Sequence, residues 1–486
     1  MASLPLPHLV VVLRCADRYA SRARYTLETL LLAAGIPMEY RDEPPTRGHW
    51  LLYGSNWEER DPRDGAVAIA HCPQAWDLFD GTNDVDRASE IDGLAVVLPP
   101  TCEAFAADAH VRFDLLANAF YFLSSWSERI ARRPGETRTL FATSCFARLG
   151  LPQDIVDRYL SHLELRLHAA CRRLDLPVWS APDWLGNHSH AVVLSHDVDF
   201  IPSGALDVAV QGAKTVMRHL LRQRDPGDAL RAAAGLVSAV LRGRDPYGCV
   251  PEIIEHEQRL GVRSSFQVAV GHRHPADVNY HVEDDRTRDY LRAIPDAGFD
   301  LCLHGSYRST ENPAWYEEEV ALLERRLGRP SGSRQHFLSF DYDTLFSVQE
   351  RCGIAFDMSM GFPDRAGPRA GFSHPYRPFD LARNRPYRVL EISLFLMDVT
   401  LRGYLGLKGE DAWRVIDASL ADLAAKKGCA SVVWHPIVFG GARDPGFDTL
   451  YWRLIERVQA AGGVATDGRS VYEAWRERAR SYPSLA

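Results

Sequence analysis

The stretch AVVLSHDVDF, residues 191–200, decides the fold because an apolar run ends abruptly in titratable residues. The run predicts a buried strand, and His196, Asp197 and Asp199 follow it directly. Because Asp197 and Asp199 stand at i and i+2, their carboxylates lie on one face of an extended chain. Buried charges are costly unless a cation neutralises them. The stretch therefore predicts a strand that delivers two acids to a site.

Three later strand candidates end in the same way. The run DLCLHGSY contains His304, the run SRQHFLSF contains Arg334 and His336, and the run SVVWHP contains His435. All four residues are of types that bind metals or take part in acid–base catalysis. A single histidine at a strand end is more often a structural residue, whereas four correlated ends indicate a functional site. In a parallel barrel these ends share one rim, where that fold places its active site.

Strands alternate with helical patterns through the second part of the chain. Residues 312–327 are typical of the helices, because Asn312 and Pro313 begin an amphipathic stripe. The strand candidates are residues 191–194, 265–270, 300–303, 334–340, 356–360, 389–396, 430–434 and 463–466. This order predicts the α/β class, with a complete or incomplete (β/α) barrel of seven or eight units over residues 189–486.

The chain before the barrel has a different pattern. Short apolar runs around one helical pattern, residues 19–34, predict a small α/β N-terminal domain over residues 1–140. An Arg-Arg-Pro-Gly turn at 132–135 precedes the boundary, and residues 141–188 form a linking helical segment.

A helical insertion over residues 206–244 interrupts the barrel pattern. Its two helical patterns are separated by Asp225-Pro226-Gly227, and it carries seven basic against three acidic residues. One stripe contains Leu206, Val210, Met217 and Leu220. Amphipathic stripes usually face a core, so we expect the insertion to pack on the barrel. The alternative is peripheral contact with a membrane surface or an anionic polymer.

Composition excludes several classes of protein. Of 486 residues, 46% are apolar and 25% charged, which is typical of a globular protein rather than a disordered one. The net charge of −8 gives no attraction for nucleic acid. The sequence has nine cysteines but no CxxC pair, and it shows no signal segment and no transmembrane run. We therefore expect a cytoplasmic protein with reduced thiols. The sequence does not predict the oligomeric state.

The residue types at the predicted rim indicate metal-assisted hydrolysis of an amide or an ester. Aspartate and histidine are ligands for Zn²⁺, and they also suit Co²⁺, Ni²⁺ or Mn²⁺. A nearby carboxylate held by Arg334 would act as a base, and His435 would protonate the leaving group. A loop rich in proline and aromatic residues, GFSHPYRPFD, follows Arg369 and contains Tyr376 and Arg377. These three residues either line a binding site for a sugar or an anion, or serve only the packing of the loop.

Several motifs together resemble the polysaccharide deacetylase superfamily, the NodB-homology group of carbohydrate esterase family 4. They are LSHDVD, LHGSYRS, RQHFLSFD, GFPDRAGPRAGFSHPYRPFDL, LEISLFLMD and VVWHP. YTLETLL, LLYGS and FDLLANAFYFLSSWSER resemble the N-terminal domain of unknown function that precedes the barrel in one bacterial branch. The resemblance implies a metal-dependent deacetylase on a distorted barrel of seven or eight strands, with one divalent ion and an acetylated carbohydrate as substrate.

The resemblance also implies roles for single residues. Asp197 matches the catalytic base and Asp199 the metal-binding aspartate, although Val198 separates two residues that are usually adjacent. His304 matches the first histidine of the second motif, and His435 matches the leaving-group acid.

The second motif departs from the family pattern, because Arg308 stands where the family has its second histidine. We infer that His336 supplies the missing ligand, since it replaces the proline of the third motif, whose arginine is Arg334. The alternative is that Arg308 marks a lost metal site. The barrel would then be catalytically degenerate and would bind a glycan or a partner without turnover.

Overall fold

The computed structural model describes residues 8–46, 48–59, 61–99, 109–131, 138–222, 224–243, 245–247 and 249–486. The predicted turn at 132–135 lies outside these residues. In chain order the strands are β1 (Leu9–Arg14), β2 (Met38–Tyr40), β3 (Trp50–Gly54), β4 (Ala66–Ala70), β5 (Ser89–Ile91), β6 (Leu94–Val96), β7 (Ala191–Val198), β8 (Ser265–Val268), β9 (Asp300–Gly305), β10 (Gly332–Gln335), β11 (Phe356–Asp357), β12 (Phe379–Asp380), β13 (Arg385–Pro386), β14 (Leu390–Glu391), β15 (Leu394–Met397), β16 (Cys429–Val433) and β17 (Val464–Thr466).

Helices connect most of these strands. The α-helices are Asp17–Ala34, Pro73–Asp77, Leu115–Leu123, Trp126–Ala131, Cys145–Leu149, Ile155–Arg173, Ala205–Met217, Pro226–Leu241, Val250–Leu260, Asp285–Asp296, Pro313–Arg326, Tyr342–Cys352, Gly409–Ala425, Phe447–Ala460 and Gly468–Ala479. Single helical turns of the 3-10 or π type are Leu78–Asp80, Phe141–Thr143, Arg218–Arg222, Ser309–Glu311, His336–Leu338, Thr400–Tyr404 and Pro436–Val438.

The chain forms two compact units. The first unit contains Met1–Asp183, Pro368–Arg388 and Ala474–Ala486, and the second contains Trp184–Gly367 and Val389–Glu473. Two segments of the predicted barrel region 189–486 therefore belong to the first unit. The predicted domain limits at 140 and 188 stay predictions.

The first unit contains a parallel sheet with strand order β2-β1-β3-β4. The helix Asp17–Ala34 follows β1 and ends at Gly35, which has φ of 66°. Tyr53, at the end of β3, donates a hydrogen bond of 2.8 Å to Asp114. Asp114 in turn caps the helix Leu115–Leu123. This buried pair joins the sheet to a helix whose residues are all buried.

The second unit is built on a curled parallel sheet. Its strand order is β14-β11-β10-β9-β8-β7-β16-β15, and β17 also pairs with β7. β7 is shared along its length, because residues 191–193 pair with β17 while residues 195–198 pair with β8. The helix Val250–Leu260 lies between β7 and β8 in the chain, as a parallel crossover requires. The predicted α/β class is confirmed, with a half-barrel whose edges are β14 and β15.

Large apolar side chains from strands and helices share the core of the second unit. Leu194 of β7 and Val432 of β16 belong to the same buried cluster as Ile416 and Leu420 of the helix Gly409–Ala425. The spacing of Ile416 and Leu420 at i and i+4 gives that helix its buried stripe. The polar residues predicted for the site stand at or directly after the carboxyl ends of the strands.

Several predicted strands are shorter or divided. The predicted strands 265–270 and 356–360 end at Val268 and Asp357. The prediction for residues 334–340 is wrong beyond Gln335, because Phe337 and Leu338 adopt φ of 58° and 54° and turn the chain. The prediction for residues 389–396 joins two strands, β14 and β15, which pair with β11 and β16 at opposite edges. A continuous apolar run does not show where such a strand divides.

The helical insertion consists of the helices Ala205–Met217 and Pro226–Leu241 and the turn Arg218–Arg222 between them, which together we call the helical hairpin. The insertion packs on the second unit as expected, because Val208 and Leu236 contact its core. The stripe named from the sequence is not the packing face, however, because Leu206, Val210, Met217 and Leu220 are exposed. Within the described ranges, no helix is both long enough and apolar enough to cross a bilayer.

The close approach of β10 and β11 gives a test of this packing. A Cβ atom on Gly332 would overlap the buried ring of Phe356. Overpacking of this kind costs about 1–3 kcal/mol. We expect Gly332→Ala to lower the free energy of unfolding by that amount, measured by chemical denaturation. Gly204→Ala is the control, because its Cβ meets no atom within 4 Å. Equal stability of the two variants would contradict this packing.

Candidate active site

Asp199, His304 and His336 come together at the carboxyl ends of β7, β9 and β10. Their ligand atoms all lie within 4.8 Å of one another. Oδ1 of Asp199 is 3.3 Å from Nε2 of His304 and 3.8 Å from Nε2 of His336. The imidazoles of His304 and His336 are almost fully buried, whereas 31% of the Asp199 side chain is exposed. The cluster therefore has one open side.

The chemistry of these three residues fits a divalent cation. Oδ1 of Asp199 and Nε2 of His304 are buried and have no hydrogen-bond partner among the described residues. Nδ1 of His304 is 3.0 Å from the carbonyl oxygen of Arg334, which accepts its proton and leaves the lone pair on Nε2. A carboxylate oxygen and imidazole nitrogens are ligands that Zn²⁺ and similar ions prefer. The three residues form a candidate metal site.

The electrostatics of the two histidines differ. Burial lowers the pKa of His336 to about 4, which keeps its imidazole neutral and able to bind a metal ion. Burial also lowers the pKa of His304, but the carboxylates of Asp197 and Asp199 outweigh this effect and raise the pKa above its usual value. The raised pKa shows that the two carboxylates attract positive charge to this position.

A buried ion pair lies beside the cluster. Nη1 of Arg334 donates a hydrogen bond of 2.7 Å to Oδ1 of Asp197, and Nε donates to the carbonyl oxygen of Met358. The Arg334 side chain is fully buried. Burial raises the pKa of Asp197, but Arg334 and His304 outweigh it and hold the pKa below its usual value. Asp197 is thus an oriented carboxylate that stays ionised.

The pair of His435 with Asp398 completes the site. Nδ1 of His435 lies 2.6 Å from Oδ1 of Asp398, and its Nε2 lies 3.5 Å from Oδ2 of Asp199. Burial lowers the pKa of His435, but Asp398 outweighs this effect and raises the pKa to about 9. A protonated imidazole facing the cluster is suited to donate a proton.

Asp398 is a site residue that the sequence analysis did not assign. It follows β15, at the end of the apolar run LEISLFLMD. The same sequence pattern that indicates the other site residues is present here, because an apolar run again ends in an acidic residue.

Local backbone structure positions the ligands. The amide of Asp199 donates to the carbonyl oxygen of Asp197 over 3.1 Å, which turns the chain sharply after β7. Tyr280 donates to the carbonyl oxygen of Val198 over 2.7 Å and fixes the strand end. His336 begins a turn in which Phe337 and Leu338 have positive φ, a strain of roughly 1–2 kcal/mol per residue. Such strain is concentrated at functional sites.

Two titratable residues singled out in the sequence lie outside the cluster. Arg308 is half-exposed, and its Nε is 3.4 Å from Oε1 of Glu311. His196 is buried between Trp434, whose carbonyl oxygen lies 2.7 Å from Nδ1, and Glu257, whose Oε1 lies 3.0 Å from Nε2. His196 thus belongs to a structural network, and Arg308 contributes no atom to the three-residue cluster.

The predicted substrate-binding residues Arg369, Tyr376 and Arg377 belong to the first compact unit. Nε of Arg369 donates to Glu128 over 2.9 Å, the Tyr376 side chain is buried, and the guanidinium of Arg377 lies over the ring of Trp475. Their role in substrate binding stays a prediction.

Comparison with known proteins gives similarity to solved structures only. No family model and no curated protein matches the chain. A proposed polysaccharide deacetylase from Mycobacterium smegmatis is 17% identical, with a TM-score of 0.41 over 61% of this chain and 93% of its own. A family 4 carbohydrate esterase from Streptomyces lividans, in complex with acetate, is 11% identical, with a TM-score of 0.29 over 57% of this chain and 92% of its own. The function is therefore inferred from the site itself.

Metal content tests the three-residue cluster. We expect about one divalent ion per chain by mass spectrometry after loading with Zn²⁺, Co²⁺, Ni²⁺ or Mn²⁺. His304→Ala and His336→Ala should each weaken metal binding by more than roughly 10- to 100-fold. Loss of a residue that only supports a ligand already has an effect of that size, and these two residues are proposed as ligands themselves. Arg308→Ala is the control and should bind as the wild type does. If Arg308→Ala lost the metal and His336→Ala kept it, the assignment of His336 as a metal ligand would be wrong.

Proposed function

We propose that the chain is a metal-dependent hydrolase that removes acetyl groups from an acetylated sugar, foremost an N-acetylated one. The observation that carries the proposal is the cluster of Asp199, His304 and His336 beside the pairs Asp197–Arg334 and His435–Asp398. These groups supply metal ligands, a base and an acid on one side of a curled sheet. Metal-assisted hydrolysis of an amide or ester uses those three components.

The metal ligands are assigned to Asp199, His304 and His336. A divalent ion held there would polarise the acyl oxygen and lower the pKa of water. Zn²⁺, Co²⁺, Ni²⁺ and Mn²⁺ all suit one carboxylate and two imidazoles. The exposed part of the Asp199 side chain leaves an approach for substrate and water.

Asp197 is assigned as the general base. The hydrogen bond from Arg334 occupies one of its oxygens, and Oδ2 lies 3.9 Å from Nε2 of His304. Arg334 thus holds the carboxylate in its ionised form and orients the second oxygen toward the cluster. Asp197 would accept a proton from the water that attacks the acyl carbon.

His435 is assigned as the acid. Its proton would pass to the nitrogen or oxygen of the sugar as the bond to the acyl carbon breaks. Asp398 holds Nδ1 and so leaves Nε2 as the atom that faces the cluster. The reaction consumes one water and yields acetate together with the free amine or hydroxyl. Asp398 is a positioning residue, because it acts through His435.

The acetylated sugar is supported by the resemblance of LSHDVD, LHGSYRS and VVWHP to the polysaccharide deacetylases. The alternative, a catalytically degenerate barrel, depends on Arg308 standing where the family has a metal-binding histidine. The pairing of Arg308 with Glu311 and the position of His336 beside Asp199 favour the enzyme over that alternative.

Acetate release tests the activity and the base together. The metal-loaded protein should release acetate from N-acetylglucosamine oligosaccharides, and Asp197→Asn should lower kcat by about 10²- to 10⁴-fold because the base is lost. Metal content of Asp197→Asn should stay close to that of the wild type. Asp285→Asn is the control, since its side chain is 83% exposed. Absence of acetate from all N- and O-acetylated sugars with metal bound would favour the degenerate barrel.

The positioning role of Asp398 gives a separate prediction. Asp398→Asn removes the charge that holds His435 protonated and oriented, so kcat should fall by about 10- to 100-fold. KM and metal content should change little, because the Asp398 side chain is fully buried and its described partners, His435, Arg402 and the amide of Val399, include none of the proposed metal ligands. Steady-state kinetics and mass spectrometry measure both. A rise in KM at constant kcat would assign Asp398 to substrate binding instead.

A further inference from the structure

The helical hairpin exposes large apolar side chains along its whole length. It carries nine of the fourteen large apolar residues that are exposed in the described part of the chain, each with 42–82% of its surface accessible. These are Leu206, Val210, Met217, Leu220, Leu221, Leu230, Val237, Val240 and Leu241. A concentration of exposed large apolar side chains in one segment is typical of an interaction site.

The exposed residues are arranged as one stripe on each helix. Leu206, Val210 and Met217 recur at helical spacing on the first helix, and Leu230, Val237 and Leu241 do so on the second. The opposite sides of both helices face the second unit. Their fully buried positions are mostly small residues, namely Gly212, Thr215, Ala229, Ala232 and Ala239, while Val208 and Leu236 pack against the core of that unit. The hairpin thus packs on the second unit mainly through small side chains with Val208 and Leu236, and leaves most of its large apolar side chains exposed.

Close packing on the small-residue side fixes this orientation. A Cβ on Gly235 would lie 2.5 Å from the carbonyl oxygen of Gly441, and one on Gly212 would lie 2.5 Å from Cδ2 of Leu236. Arg218 also pairs with Asp444 over 2.9 Å. Rotating either helix to bury its stripe would break these contacts. The apolar face is therefore displayed by the packed structure itself.

The charge of the hairpin identifies what covers this face. Residues 206–244 contain seven basic against three acidic residues, although the whole chain has a net charge of −8. Lys214 stands at i+4 from Val210 and i−3 from Met217, so it borders the stripe, and Arg242 follows Leu241 directly. Both are exposed. The charge of Lys214 acts on the carboxylate of Asp207 on the same helix, and Arg242 lines a cavity that also contains Asp245 and Glu252. Long basic side chains beside an apolar stripe are typical of helices that lie in a bilayer surface.

We propose that the helical hairpin binds the surface of an anionic lipid bilayer, with its apolar stripes in the interface and its basic residues at the headgroups. A second copy of the chain is a poorer occupant, because an isologous contact would bring two positively charged faces together. This proposal does not depend on the proposed hydrolase activity.

The connection of the hairpin to the sheet gives the contact a defined place. The helix Ala205–Met217 begins six residues after Asp199, at the carboxyl end of β7. The hairpin therefore extends from the same end of the sheet as the candidate active site. Binding through the hairpin would hold that end of the second unit close to the bilayer.

Flotation of the full chain with lipid vesicles tests the proposal. We expect binding to vesicles of equal parts phosphatidylglycerol and phosphatidylcholine, weakened by added salt, and little binding to pure phosphatidylcholine. The variant with Leu206→Gln, Leu230→Gln and Leu241→Gln should lose at least about tenfold in partitioning, because its apolar insertion is reduced. Leu165→Gln, at a leucine with 63% exposure elsewhere in the chain, is the matched control.

A stability control, a second variant and the oligomeric state complete the test. These leucines are 72–82% exposed, so the triple variant should keep the wild-type circular dichroism and melting temperature. Lys214→Gln with Arg242→Gln is a second variant, which should lose the preference for anionic vesicles. Wild-type binding by the triple variant, or no wild-type binding to anionic vesicles, overturns the proposal. A wild-type dimer that the triple variant converts to a monomer, without vesicle binding, assigns the face to a second copy.

Discussion

The buried ion pair of Arg334 with Asp197 is the interaction on which the site depends. The two residues belong to β10 and β7, which are separated by β8 and β9 in the sheet. On a flat sheet three strand spacings amount to about 14 Å, too far for a 2.7 Å contact between these side chains without convergence of the strands. The curl of the sheet supplies this convergence. A fully buried guanidinium without Asp197 would carry an uncompensated charge, so the pair also stabilises the curl.

The same pair orders the neighbouring ligands. In the register of β9 and β10, Arg334 stands opposite His304, and its carbonyl oxygen accepts the proton of Nδ1. The backbone of Arg334 therefore fixes which imidazole nitrogen of His304 faces Asp199, while its side chain fixes Asp197. One residue thus positions a metal ligand through its carbonyl and a base through its guanidinium. A lysine at this position would keep the charge but not the two-directional donor geometry.

Much of the site follows from one sequence feature, the apolar run that ends in a polar residue. Asp197, Asp199, His304 and His435 were predicted in this way, because parallel strands bring such ends to one rim. The same rule applies to Asp398, where it was not used. The turn at Phe337 and Leu338 was not predictable, since two bulky residues with positive φ contradict local preference and are held by their surroundings.

The orientation of the helical hairpin shows a limit of periodicity. An apolar stripe at helical spacing has the same pattern whether it covers a core or faces a bilayer. The discriminating signal lies on the other side of the helices, where Gly212, Ala232 and Ala239 permit close packing. Small residues opposite a leucine-rich stripe indicate that the small side is the buried one. Basic residues beside that stripe then distinguish an anionic surface from a protein core.

The topology of the sheet gives a further reason to regard the hairpin as functional. A parallel connection from β7 to β8 needs one crossover, and the helix Val250–Leu260 already provides it. The hairpin is therefore not required to build the sheet, and its exposed leucines lower solubility without covering a core. Its place directly after Asp199 joins it to the strand that carries both carboxylates of the site. A hydrolase held on a bilayer by this segment would meet sugars attached to lipids before sugars free in solution.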